Sequence, residues 1–336
     1  MKEIRIGVIG LGFGQHHVRT LINMQGVRLV AIADRSFGLP QGLDAYAARY
    51  GAAAYRDGIE MMEREDLDAV SISISPRGRA PLIEHAARNG IAMFVEKPWA
   101  TDLEHAQALA AICREHGATV MTAFSFRYHL AIVKLRELMD TGLGPAWMLN
   151  GEYVFSWVPP ASSWLWDPEN GNGFFNENSC HLFDAVCYLL GDPVSAMAEA
   201  INPMECPSDH AAAVTLRFKS GAIAALTIGG IGATGFKSYP RIDVITANGQ
   251  ARLSGREHIW ERLSWTVRDS AEMHEVILSP EALGNTRYTH AFQHFLDCVR
   301  EGRQPSSGVE AGLKTVALAM AVYESARSSR QVQVQW

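Results

Sequence analysis

Short apolar runs alternate with amphipathic stretches up to about residue 123. "IRIGVIG" (residues 4–10) is apolar and rich in β-branched residues, the pattern of a strand buried on both faces. An amphipathic stretch over residues 15–24 predicts a helix, and "VRLVAIAD" (27–34) a second strand. "GLDAYAARYG" (42–51) predicts a helix closed by Gly51. "LDAVSISIS" (67–75) and "IAMFVEK" (91–97) read as further strands, separated by a helix that runs to about Asn89. In "TDLEHAQALAAICREHG" (101–117), Thr101 and Glu104 form a T-x-x-E capping box and Gly117 ends the helix. "ATVMTAF" (118–124) closes the series. Such alternation predicts a parallel, doubly wound sheet.

Beyond residue 124 the texture changes. One helix is expected over residues 130–139, then strands dominate. "AAAVTLRFKSGAIAALTIGG" (211–230) reads as two strands around Lys219-Ser220-Gly221. Asn248-Gly249 in "RIDVITANGQARLSG" is a hairpin signal. "HIWERLSWTVRD" (258–269) and "EMHEVILS" (272–279) extend the meander. Helices follow over residues 289–301 and 309–329, and "QVQVQW" (331–336) is an edge-strand candidate. The chain therefore reads as α/β, with a dinucleotide-type domain over 1–123 and an α+β domain over 124–336. The second domain carries a large open, mostly antiparallel sheet. Open sheets with apolar faces are commonly covered by a partner, so a homodimer or homotetramer through this sheet is expected.

Composition narrows the class. The 336 residues are 48% hydrophobic and 20% charged, an ordinary globular mix. A net charge of -6 without a basic run argues against nucleic acid as a partner. Five cysteines, an odd count with no C-x-x-C pair, fit a reducing compartment. No apolar run is long enough for a membrane span, and the N-terminus lacks a signal-peptide pattern. A cytoplasmic protein is expected.

The candidate chemistry sits at three places. Gly10-Leu11-Gly12-Phe13-Gly14-Gln15 joins the first strand to the first helix, where backbone N–H groups approach a pyrophosphate; Gln15 stands where the third fingerprint glycine falls. Asp34 ends the second strand, placed to accept hydrogen bonds from the adenosine ribose and to repel a 2′-phosphate. NAD is the expected cofactor, while the adjacent Arg35 keeps NADP open. Glu96-Lys97-Pro98 ends the strand "IAMFV", at the sheet edge where ligands bind. Third, in "NGFFNENSCHLFD" (172–184), Glu177, His181 and Asp184 fall at i, i+4 and i+7, one face of a helix. That face reads as a metal site, an acid/base site or a solvated stripe. Asn176 or Asn178 is the expected N-cap. Upstream, Trp157, Trp164 and Trp166 form an aromatic loop with Pro159-Pro160, suited to stacking on a sugar face, to core packing or to a subunit contact.

On the Gly-rich turn, Glu96-Lys97-Pro98, "SFRYH" (125–129), "NGFFNENSCHLFD" and "GRQPSSGVEAGLKTVALAMAVYESA" (302–326), the chain resembles the Gfo/Idh/MocA oxidoreductases over nearly its whole length. The resemblance implies a Rossmann domain followed by a substrate domain, NAD(P), and a sugar, inositol or polyol substrate. It implies that Lys97 and His181 face the substrate carbinol, with Glu177 as their acidic partner where the family usually has Asp. It also implies that Ser75-Pro76 lines the cofactor and that Arg127 lies near the substrate pocket.

These readings combine into one expectation. A neutral imidazole at His181 suits removal of the carbinol proton, Glu177 orients it, and the Lys97 cation favours the developing alkoxide. Cofactor contacts are expected from Gly10, Gly12, Phe13, Gly14, Gln15, Asp34, Arg35, Ser75, Pro76, Glu96 and Lys97. Substrate contacts are expected from Lys97, Arg127, Trp166 and His181. No metal is expected, because no H-E-x-x-H pattern occurs among the 12 histidines and zinc sites usually draw their ligands from more than one element. Asp184 is left as catalytic or structural. Two other functions stay open: a reductase or dehydrogenase of a cyclic, dihydrodiol- or biliverdin-like substrate, and a non-catalytic dinucleotide sensor.

Overall fold

A computed structural model describes residues 3–35, 42–235, 241–256, 259–278 and 286–336. His258 and Ser279, at the ends of two expected strands, lie outside the described residues. No helix among the described residues is long and apolar enough to cross a membrane.

The first half builds β1 (Ile4–Ile9), α1 (Gly14–Leu21), β2 (Val27–Ala33), α2 (Leu43–Ala48), β3 (Ala53–Tyr55), α3 (Gly58–Arg64), β4 (Ala69–Ile72), α4 (Ala80–Arg88), β5 (Ala92–Val95), α5 (Leu103–Glu115) and β6 (Val120–Thr122). The strands form one sheet in the order β3-β2-β1-β4-β5-β6. Every pairing is parallel. The apolar runs become β1, β4 and β5 because helices cover both faces: Ile6, Val8, Val70, Ile72, Phe94 and Val95 are fully buried. β3 and α3 were not expected; a three-residue strand is too short to show a period. The strand order reverses between β1 and β4, and the crevice at that reversal is where such sheets bind ligands.

The second half builds α6 (Leu130–Leu138), β7 (Ala146–Val154), α7 (Phe174–Glu177), α8 (Cys180–Leu190), β8 (Pro193–Ile201), β9 (Ala211–Phe218), β10 (Ile223–Gly229), β11 (Arg241–Thr246), β12 (Gly249–Arg256), β13 (Ile259–Val267), β14 (His274–Ile277), α9 (Thr286–Glu301), α10 (Val309–Ser328) and β15 (Val332–Gln333). Its nine strands run in the order β14-β13-β12-β11-β7-β10-β9-β8-β15. Among the described residues of this sheet, only β7 and β10 pair in parallel. The Asn248-Gly249 turn joins β11 to β12 with Thr246 opposite Gly249, and β15 is an edge strand on β8. β9 shows why one face is core: Val214, Leu216 and Phe218 are buried while Ala213, Thr215 and Arg217 are exposed. Leu182, Phe183 and Val186 of α8 belong to the same apolar cluster.

Two compact units result. The first is Met1–Ala100, Glu104–Ala123 and Tyr288–Leu313; the second is Thr101–Leu103, Phe124–Arg287 and Lys314–Trp336. A contiguous division at 123/124 therefore differs from the observed one in residues 101–103, which join the second unit, and in residues 288–313, which return to the first. Phe292 of α9 shows the cause, stacking on Phe94 of β5 with centroids 4.0 Å apart.

Candidate active site

The β1–α1 turn needs glycine at two positions for opposite reasons. Gly10 has φ +87°, and a Cβ there would lie 2.6 Å from the Ser73 carbonyl oxygen. At Gly12 a Cβ would meet nothing within 4 Å, because it would project into open space. Gln15 donates its side-chain amide to the Leu11 carbonyl at 2.9 Å and braces the turn where the third glycine was expected. Phe13 is exposed, and its ring rests against His16 and Tyr288. The Leu11 N–H donates to Asp34 Oδ2 at 2.5 Å, so the carboxylate that ends β2 is tied to the turn.

Around these groups lies a cleft of about 380 Å³, lined by Gly10, Gly12, Asp34, Arg35, Arg56 and Ser73 among others. Arg35 pairs with Asp57 at 2.9 Å. Asp57 also accepts the N–H groups of Ile59 and Glu60 and caps α3. The Arg35 hydrogen bond, joined by those backbone donors, holds the Asp57 carboxyl below its ordinary range. Backbone donors, a helix start, a carboxylate at the ribose position and a glycine whose Cβ would fill the cradle all fit a dinucleotide. Arg56, Gly58 and Ser73 were missed by sequence reasoning. Arg56 follows the unexpected β3, Gly58 opens the unexpected α3, and Ser73 was read only as strand. Ser75 precedes a 3-10 turn, Pro76–Gly78, with Pro76 buried. Ser73 and Ile74, rather than Ser75-Pro76, line the cleft.

Glu96 and Lys97 end β5 at the same carboxyl edge of the sheet. Glu96 is buried, and its Oε2 accepts the Lys97 N–H at 3.0 Å. His17 Nε2 lies 3.0 Å from Glu96 Oε1. Burial opposes the Glu96 charge, but His17, Lys97 and Arg79 outweigh it and hold the carboxyl below its ordinary range. Arg79, itself buried, donates to the Ile74 carbonyl at 2.8 Å and to the Pro98 carbonyl. Burial pulls Arg79 down to about 10 against the opposing charge of Glu96. Lys97 is half-buried on a main chain gripped from both sides.

In the second unit the expected helix is two helices. Gly173 enters with φ +88°, in a gap where a Cβ would meet the Tyr323 hydroxyl. α7 ends at Glu177 and α8 begins at Cys180, with His181 N–H donating to the Asn178 carbonyl at 3.3 Å. Glu177 and His181 therefore stand on consecutive helices, and helical i, i+4 spacing does not describe them. Neither Asn176 nor Asn178 is an N-cap: Gly173 and Ser179 hold those positions. Asn176 instead donates to the Gly171 carbonyl at 2.9 Å and the Thr101 carbonyl at 3.3 Å. Glu177 is buried and His181 half-buried, its imidazole stacked on Phe126 at 4.9 Å.

Asp184 and Arg127 are both buried and pair through two hydrogen bonds, Nε to Oδ2 at 3.0 Å and a second to Oδ1. Burial works against both charges. Asp184 holds Arg127 above its ordinary pKa, while for Asp184 burial outweighs Arg127. We read the two as an ion pair, because a guanidinium keeps its proton and its fork matches the carboxylate. Arg127 thus faces Asp184 and ties the 3-10 turn Ser125–Tyr128, which carries Phe126, to α8. Trp166 is buried too, donating its indole N–H to the Pro160 carbonyl at 3.1 Å; Trp157 and Trp164 are the exposed rings. Among the described residues no group of three or more His, Cys, Asp or Glu is placed to hold a metal.

Residues 4–124 match the family model described as "Oxidoreductase family, NAD-binding Rossmann fold", and residues 136–334 match its companion, "Oxidoreductase family, C-terminal alpha/beta domain". D-apiose dehydrogenase of Paraburkholderia graminis is 27% identical, across 99% of this chain and 90% of its own. Inositol 2-dehydrogenase of Rhizobium meliloti is 28% identical, across 98% and 99%. An Agrobacterium radiobacter oxidoreductase solved with NAD+, L-tartaric acid and magnesium superposes with a TM-score of 0.84 at 22% identity, covering 99% of each chain, and shares the fold.

Proposed function

The chain belongs to the Gfo/Idh/MocA family of oxidoreductases, and from that premise we propose a site in which Lys97, His181 and Glu177 interconvert a secondary alcohol and a ketone of a sugar, inositol or other polyol. The protein is an NAD(P)-dependent dehydrogenase whose first domain is an NAD-binding Rossmann domain. One observation carries the site assignment. Lys97 ends β5 at the same sheet edge as the Gly10–Gly14 turn, on a main chain gripped by Glu96 and Arg79.

A bound nicotinamide supplies the hydride acceptor in one direction and the donor in the other. The chain's own residues handle the proton. The ammonium of Lys97 stabilises negative charge growing on the carbinol oxygen, and the His181 imidazole takes the hydroxyl proton. Glu177 stabilises the imidazolium. Phe126 holds the imidazole plane by stacking, and Arg127 acts through Asp184 by fixing the turn that carries Phe126. Gly10, Gly12, Phe13, Gly14, Gln15, Asp34 and Arg35 hold the dinucleotide. Ser75, Pro76, Glu96 and Trp166 then support the site through the segments they anchor. The resemblance to a D-apiose dehydrogenase and an inositol 2-dehydrogenase supports sugars and inositols as the first substrates to test. We place the protein in the cytoplasm as a homodimer or homotetramer.

Turnover of NAD+ with a panel of aldoses, inositols and cyclic diols tests the reading. Lys97→Ala and His181→Ala should each lower kcat about 10²- to 10⁴-fold while NADH still binds. Near-normal kcat in either variant removes that residue from the mechanism. NADH binding without turnover across the panel would favour a sensor.

A further inference from the structure

His17 lies on α1, three residues past Gly14, and is wholly buried. Each ring nitrogen meets a polar partner from a different strand. Nδ1 is 2.8 Å from the Ser71 hydroxyl of β4, and Nε2 is 3.0 Å from Glu96 Oε1 at the end of β5. An imidazole with its proton on Nε2 donates to the carboxylate and accepts from Ser71, which pairs both ring nitrogens. The ring is also clamped by aromatic edges: Phe94 at 5.4 Å, Phe292 at 5.1 Å and Phe13 at 5.6 Å, each near perpendicular.

A buried carboxylate and imidazole are a costly way to fill space that an apolar pair fills more cheaply. What the polar chain adds is direction. Glu96 has two oxygens with two duties: Oε1 faces His17, and Oε2 accepts the Lys97 N–H. Without His17 the carboxylate loses the partner that sets its plane, and the Lys97 main chain loses its fixed acceptor. We propose that His17 is a positioning residue for Lys97, acting through Glu96 and tying the lysine's placement to the helix that follows the dinucleotide turn. This rests on the catalytic assignment of Lys97.

Two measurements test it. In the protein without cofactor, acetylation of lysines by acetic anhydride is followed by peptide mass spectrometry. His17→Leu should change the Lys97 labelling rate at least about threefold relative to Lys219, an exposed reference, and His17→Gln, which keeps a donor for Glu96 and an acceptor for Ser71, should restore it. With the polyol of fastest turnover, His17→Leu should lower kcat about 10- to 100-fold with KM and NADH Kd nearly unchanged, and should cause no further loss in a Lys97→Ala background. Ser71→Ala, which keeps the core shape, should give a smaller kcat loss of the same kind and serves if His17→Leu does not fold. Unchanged labelling and kcat in His17→Leu, or in Ser71→Ala where that variant stands in, overturns the inference, as does a His17→Gln no better than Leu. An active Lys97→Ala enzyme would instead sink the lysine assignment itself, a separate outcome.

Discussion

Asp34 both holds the β1–α1 turn and lines the cleft. Its Oδ2 accepts the Leu11 N–H, and Arg35 and Arg56 line the same cleft. Replacing it by Ala should therefore both loosen the turn and remove the ribose acceptor. Hydrogen bonds to a charged group contribute about 1.5–3 kcal/mol each, so the NADH Kd for Asp34→Ala should rise about tenfold or more. The preference over NADPH should narrow, because the two arginines remain. Fluorescence titration with both dinucleotides checks this; an unchanged ratio would move discrimination elsewhere. At this scale the sequence was readable where chemistry coincides with a strand end. Gly10, Asp34 and Lys97 all stand where an apolar run stops. His17 was not readable, because a histidine in the first turn of a helix looks like a polar face until tertiary contacts bury it.

The helix that carries His181 shows what spacing misses. Glu177, His181 and Asp184 looked equivalent on one face. The break at Asn178-Ser179 separates Glu177 from the other two, and a buried guanidinium takes Asp184. Neither was visible locally, since Arg127 lies far upstream in sequence. That pair joins the Ser125–Tyr128 turn to α8, so removing one partner strands a buried charge. Arg127→Leu should cost about 3–5 kcal/mol of stability. The paired change Arg127→Met with Asp184→Leu should recover most of it. Denaturant unfolding of these two variants beside the wild type decides: a mild Arg127→Leu, or a double variant as unstable as the single, would refute a buried ion pair. His181→Ala, by contrast, should leave the unfolding midpoint nearly unchanged, which separates the residue that acts from the pair that holds its helix.

For the whole molecule, the period of the pattern was enough to find both sheets, yet not which residues belong together. Residues 288–313 return to the first unit because Phe292 and its neighbours cover β5, a tertiary choice that a contiguous reading cannot make. The open face of the second sheet is mixed in chemistry. Its centre is built of small residues (Ala213, Thr215, Ala225 and Thr227), flanked by Glu152, Glu199 and an Asp243 held between Arg241 and Arg252. Met197, Ile201, Ile223 and Ile277 are exposed large apolar side chains on it. A flat floor of small residues bordered by both signs of charge is self-complementary about a two-fold axis, where each acidic edge meets a basic one. The homo-oligomer proposed here would bury on the order of 1,600 Å² in total through that face, the size of a stable specific interface. Thr215→Arg puts a bulky cation at its centre, beside Met197 and Ala225, where water accommodates it in a single chain. Sedimentation velocity at micromolar protein should show a dimer or tetramer for the wild type and a smaller species for Thr215→Arg, with NADH binding retained. A wild-type monomer would refute the oligomer, and an unchanged assembly in the variant would move the interface off this sheet.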